Sequence, residues 1–278
     1  MTESHPEDAM LRAHRLPHIW CPGCGLGNAL RCYVKAMEAS DTPLDKHVCV
    51  SGIGCSGRTA GYVNVDSYHT THGRPIPFAT GLKLVRPELE VTVFSGDGDL
   101  VTIGGNHLIH AARRNLDLNV LCANNFNYGM TGGQFGATTP YAARTTTTPY
   151  GNFEQAFNLP LLVAASGATF VSRWTSLHVR QLTKAIERAF EVDGFAFVEI
   201  LSPCPVGFGR KNEFADALAE MTHFREKAIV RHDADLREVG ITMRREDPII
   251  LGNFVDEERP SYFVGKDALL KRVLEGRE

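Results

Sequence analysis

Two polar motifs carry most of the chemistry this chain can do. Gly96-Asp97-Gly98-Asp99 ends an apolar, β-branched run from Val91 to Phe94, and Asn124-Asn125 ends a second run from Leu118 to Ala123. Asp97, the Asn125 side chain and a nearby loop carbonyl offer hard oxygen ligands, which Mg²⁺ prefers and shares with phosphates. Glycines on both sides of Asp97 let the backbone approach a charged group closely, and amides at a helix start suit a phosphate. Gly-Asp-Gly and Asn-Asn are also ordinary turn formers. Placed after two successive buried strands, they read instead as a Mg-diphosphate site at the carboxyl edge of a parallel sheet, where ligands of such sheets bind.

The cysteines form a second set. Cys21-Pro22-Gly23-Cys24 lies at a glycine-rich turn, Cys55 follows the strand ending near Val50, and Cys204 stands in Pro203-Cys204-Pro205 after a strand ending at Ile200. Two thiolates at the Cys-x-x-Cys spacing can grip one metal ion or two corners of a cluster. Spacing alone leaves a structural Zn²⁺ site, a redox dithiol and an iron–sulfur cluster open, with the dithiol disfavoured because the pair precedes any βαβ unit. Cys32, Cys49 and Cys122 sit among core-like neighbours and read as buried thiols.

The elements that must hold these residues alternate. The pattern predicts helix 26–38, strand 46–51, helix 73–85, strand 90–95, helix 103–114 and strand 118–123. A long loop over 124–150 follows, then helix 152–159, strand 168–171, helix 176–191 and strand 195–200. Such alternation implies an α/β fold, a parallel sheet with helices on both faces. The motifs fall within residues 1–205, while 206–278 reads as an irregular C-terminal extension, helical over 212–226 and extended from Ile241, packed on the same domain and on a partner subunit. With 278 residues and 43% hydrophobic content the chain can bury a full core. A net charge of −3 argues against nucleic-acid binding. No apolar stretch is long enough to cross a membrane, the N-terminus is polar and acidic where a signal peptide would be basic then apolar, and an odd seven cysteines suit a reducing cytoplasm.

Gly96-Asp97-Gly98 followed by Asn124-Asn125 resembles the thiamine diphosphate signature. The next residues, Tyr128-Gly129-Met130-Thr131-Gly132-Gly133-Gln134, resemble the β subunit of 2-oxoacid:ferredoxin oxidoreductases, in the form of the 2-oxoglutarate branch. Trp20 to Gly25, Gly54 to Ser56 and Pro203 to Pro205 match three further segments of that family. The resemblance implies a thiamine diphosphate-binding fold with Mg²⁺ on Asp97, Asn125 and the backbone of Asn127. It implies a [4Fe–4S] cluster on Cys21, Cys24, Cys55 and Cys204, and cofactor contacts from Gly54, Ser56, Gly96, Gly98, Asp99 and Thr131. His72, in a matching His-Gly-Arg, is implied at the thiamine site as a contact and proton relay, whereas His69 reads as structural. Arg58 falls where the family places a basic side chain facing the substrate. A guanidinium suits a carboxylate, though a solvated surface arginine is the bland alternative. Met130 belongs to the implied substrate pocket.

The implied activity is coenzyme A-dependent oxidative decarboxylation of a 2-oxoacid, 2-oxoglutarate above all, with electrons leaving through the cluster to ferredoxin, or the reverse carboxylation. No glutamate for the cofactor's aminopyrimidine is found in these motifs. In the family it comes from the α subunit, so an (αβ)₂ partner is expected. Pyruvate or branched-chain oxoacids, a non-oxidative thiamine enzyme with structural zinc, and a catalytically silent electron-transfer subunit are the competing readings.

Overall fold

The structure, a computed structural model, describes residues 6–242 and 247–276. The N-terminal and C-terminal ends of the two expected regions, and part of the stretch after Ile241, fall outside the described residues. In chain order the elements are α1 (Leu26–Ala39), β1 (His47–Ser51), α2 (Thr59–Tyr62), β2 (Asp66–His69), α3 (Pro75–Val85), β3 (Glu90–Gly96), α4 (Gly105–Arg113) and β4 (Leu118–Asn124). Then come α5 (Leu159–Ser166), β5 (Phe170–Thr175), α6 (Val179–Glu191), β6 (Phe195–Leu201), α7 (Ala217–Lys227), β7 (Ala228–Val230), β8 (Ile249–Asp256) and α8 (Tyr262–Leu274).

The strands form one sheet in the order β2-β1-β3-β4-β6-β5-β8-β7, parallel throughout except that β8 runs antiparallel to β5. The central strands β1, β3, β4, β5 and β6 are almost wholly buried, as expected where helices cover both faces. Alternate strand residues supply the two layers. Phe94, Leu121, Val198 and Ile200 pack with α1 and α6 on one face, while Val93, Val120, Phe195 and Phe197 pack with α3, α4 and α5 on the other. In α1, Leu26, Ala29, Leu30, Tyr33, Val34 and Met37 recur at three- and four-residue intervals, so one stripe faces the sheet.

Three expectations need correction. The helix placed at 152–159 is absent. Its residues are irregular, and the helix starts at Leu159 because Asn158 caps it by accepting from the Leu161 amide. Asn152 instead spends its amide on carbonyls of Thr139 and Glu154 within the loop. The helix expected from 212 begins at Ala217, after the Asp216 side chain caps it. The region after Cys204 is also more regular than its prolines suggest, since β8 joins the main sheet and Ser261 caps α8.

Candidate functional site

The carboxyl ends of four neighbouring strands deliver the site. Cys55 follows β1, Asp97 follows β3, Asn125 follows β4 and Cys204 follows β6. A cleft of about 490 Å³ opens there. It is lined by Gly54, Cys55, Ser56, His72, Gly96, Asp97, Gly98, Asp99, Asn125, Asn127, Met130 and Thr131, joined by Ile53, Tyr128 and Gly129. One concavity thus gathers the residues expected to hold Mg²⁺ and the cofactor, while Cys21, Cys24, Cys204 and Arg58 do not line it.

One corner of the cleft suits a cation. Asp97 is 1% exposed, and Asn125 Oδ1 lies 3.2 Å from Asp97 Oδ1 and 2.7 Å from the Asn127 carbonyl oxygen. Three oxygens so close repel one another unless a cation sits among them or the amide turns over to donate through Nδ2. The arrangement therefore fits the oxygen set of a Mg²⁺ site, and it is the set the sequence predicts. Burial pushes the Asp97 carboxyl up to about 6, while bonds from Thr138 and the Asn125 amide pull it back toward the ionised form. Thr138, whose hydroxyl donates to Asp97 Oδ2, is a contributor the sequence does not reveal. It arrives because the loop from 125 to 158 folds back over the end of β3.

Asp99, expected as a cofactor contact, lies in the cleft wall and is held by several bonds. Its carboxylate lines the cleft but is buried and taken up by its own chain. Oδ1 accepts from Gly73 N at 2.6 Å and Ile53 N at 3.2 Å and lies 2.5 Å from His72 Nδ1, and Oδ2 accepts from Ser95 Oγ at 2.8 Å. The pairing puts the proton on Nδ1 and leaves His72 Nε2 as the free ring nitrogen. The Tyr128 ring meets the His72 ring edge-on at 5.9 Å. Tyr128 reaches it only because residue 98 is glycine, since a Cβ there would come within 2.6 Å of the Tyr128 ring. From Gly98 to Ile103 the chain winds as a π-helix before α4, a wide turn common at functional sites. Thr131 Oγ1 donates to Gln134 Oε1 at 2.6 Å. Met130 stands exposed at the rim.

Cys21, Cys24, Cys55 and Cys204 converge beside this cleft. Burial pushes Cys24 up to about 12, and the neighbouring Cys204, Cys55 and Cys21 add to the rise. Cys55 is pushed up to about 11, by burial first and then by Cys204 and Cys21. Burial also raises Cys204, against the Asn127 side chain, which favours its thiolate. Asn127 therefore turns its carbonyl to the cation corner and its side chain to a cysteine. Trp20 Nε1 donates to the Cys55 carbonyl at 2.7 Å, and the Gly25 amide donates to the Pro203 carbonyl at 3.3 Å, so the three cysteine segments are tied together. Among the described residues no three His, Cys, Asp or Glu side chains are grouped around a single ion. Cys32, Cys49 and Cys122 are fully buried, as expected.

Arg58 is not among the residues lining the cleft. The short turn from Ser56 to Arg58 puts Ser56 in the cleft wall and Arg58 in a separate concavity with Arg12, Arg15 and His69. His69 is structural, its Nδ1 lying 3.0 Å from Ser51 Oγ and 3.1 Å from the Gly57 carbonyl. Glu220 of α7 was missed as well. It is 1% exposed, accepts from the Cys204 amide at 3.1 Å, and burial pushes it up to about 7. No local motif marks it, because only the packing of α7 brings it there.

Comparison with known proteins agrees with this geometry. Residues 52–200 match the family described as thiamine pyrophosphate enzyme, C-terminal TPP binding domain. The chain is 46% identical over 271 residues to the 2-oxoglutarate synthase subunit KorB of Methanocaldococcus jannaschii, covering 97% of this chain and 98% of that one. It is 49% identical to the same subunit of Methanothermobacter marburgensis, covering 93% and 90%. The solved 2-oxoglutarate:ferredoxin oxidoreductase from Magnetococcus marinus, with 2-oxoglutarate, coenzyme A and succinyl-CoA bound, superposes with a TM-score of 0.84 at 31% identity, covering 98% of this chain and 92% of that one. The chain belongs to the thiamine diphosphate-dependent 2-oxoacid:ferredoxin oxidoreductases, as a β subunit of the KorB type.

Proposed function

We propose that this chain is the thiamine diphosphate- and cluster-binding subunit of a 2-oxoglutarate:ferredoxin oxidoreductase, forming succinyl-CoA and CO₂ or running in reverse. The observation that carries the reading is the meeting, at adjacent strand ends, of an oxygen-lined cation corner with Cys55 and Cys204, where Cys21 and Cys24 join them. Asp97, Asn125 and the Asn127 carbonyl would hold Mg²⁺, with the amides and glycines around Gly96 and Gly98, and Thr131, left to the diphosphate. Cys21, Cys24, Cys55 and Cys204 would hold a [4Fe–4S] cluster, with iron keeping all four as thiolates.

Thiamine diphosphate, when bound, takes up the electron pair left as the 2-oxoacid loses CO₂. The chain's residues position and shield. His72, oriented by Asp99, presents Nε2 to hold or pass a proton at the cleft. Met130 and Ile53 supply apolar walls that limit water. Arg58 faces the neighbouring concavity, so a contact with the distal carboxylate would require a rearrangement on assembly. No glutamate lines the cleft, so the acid that activates the aminopyrimidine would come from an α subunit, in an (αβ)₂ assembly that uses coenzyme A and ferredoxin. Unpaired cysteines suit the reducing cytoplasm.

The test is viologen reduction by the anaerobically purified αβ complex with 2-oxoglutarate, pyruvate and a branched-chain oxoacid, alongside iron analysis. Four irons per chain, a broad band near 400 nm and preference for 2-oxoglutarate are expected. Zinc in place of iron, or decarboxylation that needs no electron acceptor, would sink the reading.

A further inference from the structure

Beside the cleft, on the far side of the Ser56–Arg58 turn, lies a second concavity of about 530 Å³ walled by Arg12, Arg15, Arg58, Ser67 and His69. No carboxylate lines it, and none of its three arginines forms an ion pair among the described residues. Arg12 is held in the wall, donating to the Val65 carbonyl at 3.1 Å and Ser67 Oγ at 3.0 Å. Arg15 is exposed, with a single long bond to the Gly61 carbonyl at 3.4 Å, and its charge stays available to a visitor.

The rim adds no negative charge. From Ala9 to Met37 the chain carries no acidic residue, and residues 13–19, which include His14, Arg15 and His18, are exposed throughout. Two apolar side chains stand out among them, Leu16 at 37% and Ile19 at 65% exposure. A cationic surface with a small apolar centre is unusual on a chain of net charge −3. Such a surface steers a partner of opposite charge and then fixes it by apolar contact. It also borders two of the cysteines. Cys21 is exposed next to the rim, and Trp20 ties the rim to Cys55, three residues before Arg58.

We propose that this basic concavity and its rim, residues 12–19 with Arg58, form the docking surface for an acidic one-electron carrier protein, seated over Cys21 and Cys55. The proposal rests on the reading that the four cysteines hold a cluster. Oxidation of one 2-oxoacid releases two electrons, so two carrier molecules dock in turn and each leaves reduced by one electron. A net-negative enzyme and an acidic carrier repel at long range. The local patch is what overcomes that repulsion, and it makes the encounter salt-sensitive.

The test uses the αβ holoenzyme with 2-oxoglutarate and coenzyme A, reading either an acidic ferredoxin or methyl viologen, a small dication that needs no docking surface. Arg15→Glu should raise KM for ferredoxin by about tenfold and Arg15→Gln by less, with the salt dependence of KM flattened in both. Viologen turnover and KM for coenzyme A should match the unaltered enzyme. An unchanged ferredoxin KM at low and high ionic strength overturns the proposal. So does a raised KM for coenzyme A in the viologen assay, which would make the concavity a site for the coenzyme's phosphates. If the unaltered enzyme fails to reduce viologen, the cluster reading itself is wrong and the docking surface falls with it.

Discussion

Asp97 shows how one residue is held between burial and function. Burial raises its pKa from 3.8 to about 6, so in the absence of a cation the folded chain binds a proton more tightly than the unfolded one. That contribution to stability is present at low pH and lost as pH rises through about 6. A bound cation reverses the preference, because it takes only the ionised carboxylate. Mg²⁺ affinity should therefore be flat above pH 7 and fall about tenfold per unit well below pH 6. Thr138 donates to the ionised form, so Thr138→Val should weaken Mg²⁺ at pH 7 by roughly tenfold. Titration calorimetry with thiamine diphosphate present would read it, and unchanged affinity would remove Thr138 from the site. Asp97 and Asn125 were legible in the sequence because glycines and strand ends mark them. Thr138 was not, because Thr139 and Thr145 to Thr148 look no different until the loop closes.

The elements around the site are joined by a buried relay. Arg173 on β5 donates to Glu199 on β6 at 2.7 Å, Asn124 at the end of β4 donates to Glu199 at 2.7 Å, and Asn124 Oδ1 accepts from the Phe126 amide at 3.1 Å. Arg173 and Glu199 are at most 1% exposed. The relay fixes the turn at Phe126, whose φ of 64° is costly for a bulky residue and needs such support. That turn aims Asn125 and the Asn127 carbonyl at one point. Asn124→Ala should keep the Arg173–Glu199 pair and the fold, yet lower Mg²⁺ and thiamine diphosphate affinity about tenfold. Retained affinity with unchanged circular dichroism would show that the loop needs no such anchor. Strands β3, β4 and β6 were legible because parallel strands buried on both faces read as continuous apolar runs. Strand β8 was less so, since Gly252 and its flanking prolines mask a strand whose pairing with β5 is decided at long range. Where a helix was expected at 152–159, Phe153 and Phe157 point outward, 81% and 51% exposed, so no apolar face is there to bury.

Across the whole molecule the sheet has a working end and a quiet one. At the amino ends of the strands, Lys83 pairs with Asp117 at 2.6 Å, and Glu90 beside them is pushed up to about 7 by burial and then by Asp117. Glu90 therefore adds stability below its unfolded value of 4.5 that is lost as pH rises through about 7. Glu90→Gln should flatten urea stability between pH 5 and 8, an effect of at most about 3 kcal/mol, while substrate turnover stays the same. An equally steep pH profile in the variant would show that another group governs it. The working end has a consequence in time. Its first cysteines stand at 21 and 24, but the last, Cys204, is fixed only after β6 has paired with β4 and β5. A cluster bound by all four can be completed only late in synthesis, when most of the chain has left the ribosome. In a subunit that carries the proposed cluster, Cys21 and Cys24 would stand until then as an open half-socket, and that interval would be when oxygen harms the nascent chain most.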